Sequence, residues 1–490
     1  MTHRELLLGD EALALGALHA GLSGVYAYPG TPSTEITEYI QGSALAKERG
    51  VHCLWSTNEK TAMEEALGMS FAGKRALVCM KHVGMNVAAD AFVNSGMTGA
   101  NGGLVVVAAD DPSMHSSQNE QDSRFYGKFS FIPVFEPSSQ QEAYEMVQEA
   151  FEFSERHGIP VLMRLTTRMA HSRAVVEVRE PKAQNELHYP AQTRQWVLMP
   201  GNSRNRYKKL LEEYAACERE AVESRFNPCT EGSDTSMGII ACGIGYNYLM
   251  ENYPDGCPYP VLKISQYPVP AEQIRHMAEK CRSLLVIEEG QPLVEESLRG
   301  ILPAQLPIRG RMTGELPRTG ELTPDCVRAA LGLPPLEAHA ASEIVVPRPP
   351  ALCQGCGHRD MYTALKEVVE EFDHAKVFSD IGCYTLGWLA PFHAIDTCVD
   401  MGASITMAKG AADAGQHPSI AVIGDSTFTH SGMTGLLDAV NEKSPITIII
   451  SDNLTTGMTG GQDSAGTGRL EQICAGIGVE PAHIRVTVPL

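Results

Sequence analysis

Two apolar runs near the C-terminus each end in a polar tip, and their spacing restricts the fold more than any other stretch of the chain. Ser419 to Ile423 releases Gly424-Asp425-Ser426, and Ile446 to Ile450 releases Ser451-Asp452-Asn453, with twenty-five residues between Ser426 and Asp452. Short continuous apolar runs suit strands buried on both faces, and the helical pattern of Thr434 to Glu442 between them supplies a crossover. This part of the chain is therefore expected to form a parallel sheet with both polar tips at its C-terminal edge, where open α/β sheets bind their ligands. A carboxylate and a carboxamide at that edge offer hard oxygens to one small cation, and magnesium keeps its other positions for water and phosphate oxygens. Gly424 is expected to let the backbone approach a phosphate, and the following helix to point its N-terminus at the same anion. The plainer alternative is an ordinary Rossmann-like turn with an incidental Asp.

Gly424-Asp425-Ser426 followed by Asp452-Asn453 resembles the GDG and NN motif of thiamine diphosphate enzymes, with Ser426 where the family has its last Gly. The resemblance implies that Asp425, Asn453 and the backbone carbonyl of Thr455 hold Mg2+ on the cofactor's diphosphate.

At 490 residues the chain is long enough for several domains, each with its own core. A formal charge of -20 without a Lys/Arg block argues against nucleic acid or anionic membrane as partners. No run reads as a membrane span or secretory signal, so the expected location is the cytoplasm. In that compartment the thirteen Cys are not expected to be disulfides. Most, such as Cys79, Cys242 and Cys281, read as small core residues.

Taken in order, residues 1–178 alternate strand and helix patterns and predict a doubly wound α/β domain. Helices are expected over Asp10 to Ala20, Thr34 to Lys47, Glu59 to Ala72 and Gln140 to Arg156. Strands are expected over Gly24 to Tyr28, Ala76 to Met80, Gly103 to Ala108 and Pro160 to Arg164. Tyr28-Pro29-Gly30-Thr31-Pro32-Ser33-Thr34 is a turn at a strand end whose hydroxyls suit a helix cap or a substrate carboxylate. Lys81 to Asn86 follows another strand, where polar side chains could face a ligand. The stretch from Asp110 to Tyr126 is too polar for core and reads as a loop, either solvated or covering a pocket. Glu59 opens a helix, where an acidic residue commonly serves the helix N-terminus. Residues 179–235 read as a polar linker with an exposed helix over Tyr207 to Ser224. Residues 236–340 read as a smaller α/β unit similar to the C-terminal domain of transketolase. After the hinge Val346-Pro347-Arg348-Pro349-Pro350, residues 341–490 form the domain carrying the Asp425 and Asn453 tips.

At the head of that last domain stands Cys353-Gln354-Gly355-Cys356-Gly357-His358, and Gly382-Cys383 follows the strand at Lys376 to Phe378. Two thiols at this spacing suit a metal or cluster, although one such pair is a weak signal. With Met401-Gly402-Ala403-Ser404, the Asn453 to Gln462 string and the Tyr-Pro-Gly-Thr-Pro-Ser loop, the chain resembles the thiamine diphosphate-dependent 2-oxoacid:ferredoxin oxidoreductases. Within that family it is most similar to the large (alpha) subunits of the indolepyruvate type.

The resemblance implies several thiamine diphosphate-binding α/β domains plus a transketolase C-terminal-like domain. It implies oxidative decarboxylation of aryl pyruvates to aryl acetyl-CoA, with coenzyme A as acceptor and electrons passing to ferredoxin. A smaller beta subunit is implied, in a dimer of heterodimers. Glu59 is implied as the glutamate on the cofactor's aminopyrimidine, and Thr31 and Arg124 as ligands of the substrate carboxylate. Gly382, Cys383, Gly402, Ser404, Gly424 and Ser426 would line the cofactor. Cys353, Cys356 and Cys383 are implied as thiolates of a [4Fe-4S] cluster, with three free thiols as the alternative. Cys398 and Cys474 are candidates for a fourth ligand without motif support. Family large subunits continue into a ferredoxin-like segment, so the sequence is expected either to be a truncated form or to leave those clusters to another chain. Two rival functions stay open: a non-oxidative thiamine diphosphate 2-oxoacid decarboxylase or synthase, and a cofactor-binding subunit without turnover.

Overall fold

The computed structural model describes residues 3–337 and 340–488. The chain divides into two units, Met1–Ala338 and His339–Leu490. Among the described residues no helix is long and apolar enough to cross a membrane.

The first unit is built on a seven-stranded sheet. Its order is Gln266–Tyr267, Val134–Phe135, Val161–Thr166, Leu104–Asp110, Ala76–Lys81, Gly24–Ala27 and His52–Trp55. All neighbours run parallel except the edge strand Gln266–Tyr267, which arrives antiparallel from a later part of the chain. Central strands such as Leu104–Asp110 are buried along their whole length. That is why they read as unbroken apolar runs rather than alternating ones. Two large apolar clusters flank the sheet. A separate antiparallel ribbon, His3–Leu8 with Arg173–Val178, closes the domain's two chain ends together.

Three expectations need correction. The helix foreseen from Thr34 to Lys47 is two helices, Thr34–Gly42 and Ala44–Glu48, because Ser43 is extended and its hydroxyl caps Ala46 N. The helix foreseen from Tyr207 starts earlier, at Pro200. Proline is accommodated there because the first helical N–H has no partner to lose. The polar stretch before it holds one short 3-10 helix, Thr193–Trp196, and is bonded to the domain it leaves, through Lys182 N to His19 O (2.7 Å) and His188 N to Ala72 O (3.2 Å).

A five-stranded sheet completes the first unit, in the order Ile308–Arg309, Leu284–Ile287, Gly238–Cys242, Val261–Ile264, Cys229–Thr230, parallel apart from the last pair.

The second unit carries four parallel strands in the order Thr397–Cys398, Lys376–Ser379, Ser419–Gly424, Thr447–Ser451. Helix Ala403–Asp413 leads into the strand Ser419–Gly424. The helical run after that strand opens at Asp425 itself. It widens into a π turn over Phe428–Gly432 and continues as Met433–Glu442, so it begins earlier than the apolar periodicity indicates. Such π turns recur at functional sites.

Candidate functional site

Strands Ser419–Gly424 and Thr447–Ser451 pair with Gly424 opposite Ser451, so their polar tips leave the sheet side by side. One terminal atom of the Asn453 carboxamide lies 3.2 Å from Asp425 Oδ1 and 2.8 Å from the Thr455 carbonyl oxygen. With its nitrogen inward the amide donates to both oxygens. With its oxygen inward, three oxygens converge with no hydrogen between them, and a small hard cation is what stabilises that arrangement. The backbone between the two donors is held for this purpose. Leu454 takes a left-handed conformation at φ 64°, turning the Asn453 side chain and the Thr455 carbonyl toward one point. Asp425 is 2% exposed, and its Oδ2 is buried without a hydrogen-bond partner. Burial, reinforced by the neighbouring Asp452, pushes its carboxyl up to about 6. A buried carboxylate oxygen with nothing to accept from, beside a carboxamide and a carbonyl, fits Mg2+ by the chemistry of its donors. Ser426 is tied to the second tip as well, its hydroxyl 2.9 Å from that of Thr456.

Two residues that the sequence reading gave no role organise the rest of this edge. Asp380 follows the strand Lys376–Ser379 and is fully buried. Its Oδ2 accepts from the backbone N–H of Gly402 and of Ser404, each at 3.1 Å, and its Oδ1 accepts from the Tyr384 hydroxyl. The carboxylate thus fixes the N-terminus of the helix Ala403–Asp413, while burial pushes its pKa up to about 6. Tyr384, 2% exposed, lays its ring over two glycines. A Cβ on Gly382 would sit 2.3 Å from the ring, and one on Gly424 2.6 Å from it. Gly424 is therefore glycine to admit Tyr384, a different reason from the phosphate approach expected of it. The only available signal was Gly-Cys-Tyr itself, since the ring's other partner, Gly424, lies on a later strand.

The three thiols Cys353, Cys356 and Cys383 share one neighbourhood. Burial raises the pKa of Cys383, and the nearby Cys356 and Cys353 raise it further. Cys356 Sγ is 3.1 Å from His358 Nδ1. Cys383 Sγ lies 3.3 Å from where a Gly457 Cβ would stand, two residues beyond Thr455. Three sulfur donors in one patch fit an iron-sulfur cluster in ligand type. Of the candidates for a fourth ligand, Cys474 is buried in an apolar cluster with Ile423 and Phe428, and Cys398 directs its thiol at the Asp380 carbonyl, 3.9 Å away.

In the first unit, a second set of polar groups gathers at the C-terminal edge of the seven-stranded sheet. Glu59, 6% exposed, is the first residue of the helix Glu59–Phe71, whose N-cap Asn58 accepts from Thr61 N at 2.8 Å. A Cβ on Gly84 would lie 2.6 Å from Glu59 Oε1, so Gly84, opening the helix Gly84–Thr98, is the floor against which the carboxylate rests. In the neighbouring loop, Ser33 Oγ donates to Gly30 O (2.7 Å) and Thr34 Oγ1 accepts from Gly30 N (3.0 Å). Those two hydroxyls are spent on the turn itself, and the half-buried Thr31 carries the remaining one.

Arg124, implied as a ligand of the substrate carboxylate, is enclosed by carboxylates of its own unit. Its side chain is fully buried, 2.5 Å from Asp122 Oδ2 and 3.0 Å from Glu288 Oε2. It also donates to the Tyr267 hydroxyl (3.2 Å) and to the Gln291 carbonyl (2.8 Å). Asp110, Glu136 and Arg164 extend this buried network. The stretch from Asp110 to Tyr126 is thus not simply a solvated loop: Asp110, Asp122, Ser123 and Arg124 are core, and residues 113–116 are exposed.

Two family models match this chain. Residues 15–221 match the family described as pyruvate flavodoxin/ferredoxin oxidoreductase, thiamine diP-bdg, and residues 380–482 match the thiamine pyrophosphate enzyme, C-terminal TPP binding domain. The chain is 40% identical to the indolepyruvate oxidoreductase subunit IorA of Archaeoglobus fulgidus, over 97% of this chain and 80% of the relative. It is also 40% identical to the IorA of Pyrococcus abyssi, over 95% and 77% respectively. A solved 2-oxoglutarate:ferredoxin oxidoreductase from Magnetococcus marinus shares the fold, with a TM-score of 0.53 at 16% identity over 67% of this chain and 65% of that one. The chain therefore belongs to the IorA family, the alpha subunits of the indolepyruvate type among the thiamine diphosphate-dependent 2-oxoacid:ferredoxin oxidoreductases.

Proposed function

We propose that this chain oxidatively decarboxylates aryl pyruvates, of the indolepyruvate and phenylpyruvate type, to aryl acetyl-CoA, with ferredoxin as electron acceptor and a smaller beta subunit completing the enzyme. The observation that carries the reading is the convergence of Asp425, Asn453 and the Thr455 carbonyl at two adjacent strand tips. The aryl preference is supported by the relatives at 40% identity, which are named for indolepyruvate.

Asp425, Asn453 and Thr455 would hold Mg2+, and with it the diphosphate of the cofactor. Gly382, Cys383, Gly402, Ser404 and Ser426 form the surrounding edge, braced by Asp380 and Tyr384. Glu59, nearly excluded from water and set against Gly84, holds and shares a proton at the aminopyrimidine ring. Thiamine diphosphate, when bound, supplies the electron sink for carbon dioxide loss. Thr31 orients the substrate carboxylate. Cys353, Cys356 and Cys383 would hold a [4Fe-4S] cluster, which would supply one-electron transfer. The balance is one 2-oxoacid and one coenzyme A consumed, with two ferredoxins reduced by one electron each. One acyl-CoA, one carbon dioxide and one proton are released.

The test is an anaerobic assay of the complex with its beta subunit, supplying phenylpyruvate, indolepyruvate and pyruvate in parallel with coenzyme A and ferredoxin. Reduced ferredoxin and aryl acetyl-CoA should form with a higher kcat/KM on the aryl substrates. Aldehyde formation without ferredoxin reduction would overturn the oxidative reading, and a preference for pyruvate would overturn the aryl one. Iron and sulfide analysis of the same preparation checks the three cysteines.

A further inference from the structure

Three segments distant in the chain bring Asp10, Glu35 and His171 together in the first unit. Asp10 lies in the first turn of the helix Gly9–His19, and Glu35 in the first turn of Thr34–Gly42. His171 ends the short helix Thr167–His171, which follows the strand Val161–Thr166. Their nearest ligating atoms all lie within 4.8 Å of one another. One ion with bonds of about 2.0–2.2 Å draws together side chains at that spacing.

The ordinary use of an acid in a first turn is to accept from the helix's unpaired N–H groups. At the helix Gly9–His19 that duty falls to Glu11, whose Oε2 accepts from Leu8 N at 2.8 Å. Asp10 is fully buried, and neither of its carboxylate oxygens has a hydrogen-bond partner. Glu35 directs Oε1 at His171 Nε2, 3.4 Å away, while its Oε2 is buried without a partner. Burial, and then the charge of Glu35, raise the Asp10 carboxyl well above the usual carboxylate range. The hydrogen bond between Glu35 and His171 lowers the first and raises the second. A buried carboxylate with nothing to accept from calls for a proton or a cation. The His171 side chain is about a third exposed, which gives an ion its way in from solvent.

We propose that Asp10, Glu35 and His171 hold a divalent transition-metal ion of the Zn2+ or Mn2+ class, with water completing its coordination on the side of His171. An imidazole beside two carboxylates selects this class over Mg2+ and Ca2+, which take oxygen ligands. The ion ties the starts of two helices to the end of a third. The site is separate from the clamp at Asp425 and Asn453, and it does not depend on the reaction proposed above. The rival occupant is a proton on Asp10.

The full chain, dialysed free of divalent metal and without thiamine diphosphate, is titrated with Mn2+, the free ion being followed by electron paramagnetic resonance. Mn2+ is the probe because the thiols of Cys353, Cys356 and Cys383 compete poorly for it. The wild type and Asp425→Ala should bind it at the same site with equal affinity, and Zn2+ should displace it. Asp10→Asn and His171→Gln should bind it about 100-fold more weakly or worse, a larger loss than the 10- to 100-fold of an outer-shell partner. Mn2+ should raise the thermal midpoint of the wild type and leave that of Asp10→Asn unchanged. Should Asp10→Asn fail to fold, His171→Gln, at an exposed position, carries the same comparison. Equal Mn2+ affinity in the wild type and in the folded variants would overturn the site, as would a wild type that binds none and leaves the proton as occupant. A loss confined to Asp425→Ala would overturn it too, because the ion would then belong to the second unit.

Discussion

Asn453 is the residue whose surroundings say most about this chain. Its amide sits between a buried carboxylate and a backbone carbonyl, a position that suits a nitrogen when the space is shared by protons and an oxygen when it is shared by a cation. Asp425 and Asn453 were legible in the sequence because both lie at the ends of consecutive strands, where chain spacing alone fixes their neighbourhood. Tyr384 was not, because its contacts with Gly382 and Gly424 join the loop after one strand to the tip of the next. Gly84 is a similar case, since only the packed structure sets it under Glu59. Gly84→Ala is predicted to displace the Glu59 carboxylate and lower kcat about 10- to 100-fold, on the scale of an ångström-sized misplacement of a catalytic group. Fold and thermal midpoint should change little, because the added methyl meets the end of a flexible side chain. Steady-state kinetics beside a melting curve checks this, and an unchanged kcat would remove Gly84 from the site.

At the scale of elements, most strands and helices could be read from apolar runs and periodicity, with ends displaced by a few residues. The failures have local physical causes. Ser43 caps a second helix inside an apparently continuous one, and the π turn at Phe428–Gly432 lets a helix start at Asp425, where the sequence reads as a loop. The Asp110 to Tyr126 stretch was misread because polarity along the chain says nothing of pairing across it. Asp110, Asp122, Glu136, Arg164 and Glu288 come from separate segments and pair, together with Arg124, only once the first unit is assembled. Arg124 accordingly ties the loop after Leu104–Asp110 to the segment after Leu284–Ile287. Arg124→Met is predicted to destabilise the protein by about 3–5 kcal/mol, because it strands buried carboxylates without a counter-charge. Denaturant titration measures the loss. An Arg124→Met protein as stable as the wild type would contradict this reading of the buried network.

At the scale of the whole molecule, the chain divides its chemistry between two units. The first bears Glu59 and Thr31 at one sheet edge, and the second bears Asp425 and Asn453 at another, where Cys383 follows the strand Lys376–Ser379. The two matched thiamine diphosphate families fall on residues 15–221 and 380–482, one in each unit. The account rests on the second edge being a divalent-cation clamp for a diphosphate. The most direct measurement is the affinity of the full chain for thiamine diphosphate, with and without Mg2+, in the wild type and in Asp425→Ala and Asn453→Ala proteins whose circular dichroism is unaltered. The account predicts tight binding only in the wild type with Mg2+, and a loss of about 100-fold or more in each variant, on the scale of removing a charged or polar partner from a buried site. Binding of equal strength in Asp425→Ala, or binding indifferent to Mg2+, would contradict it.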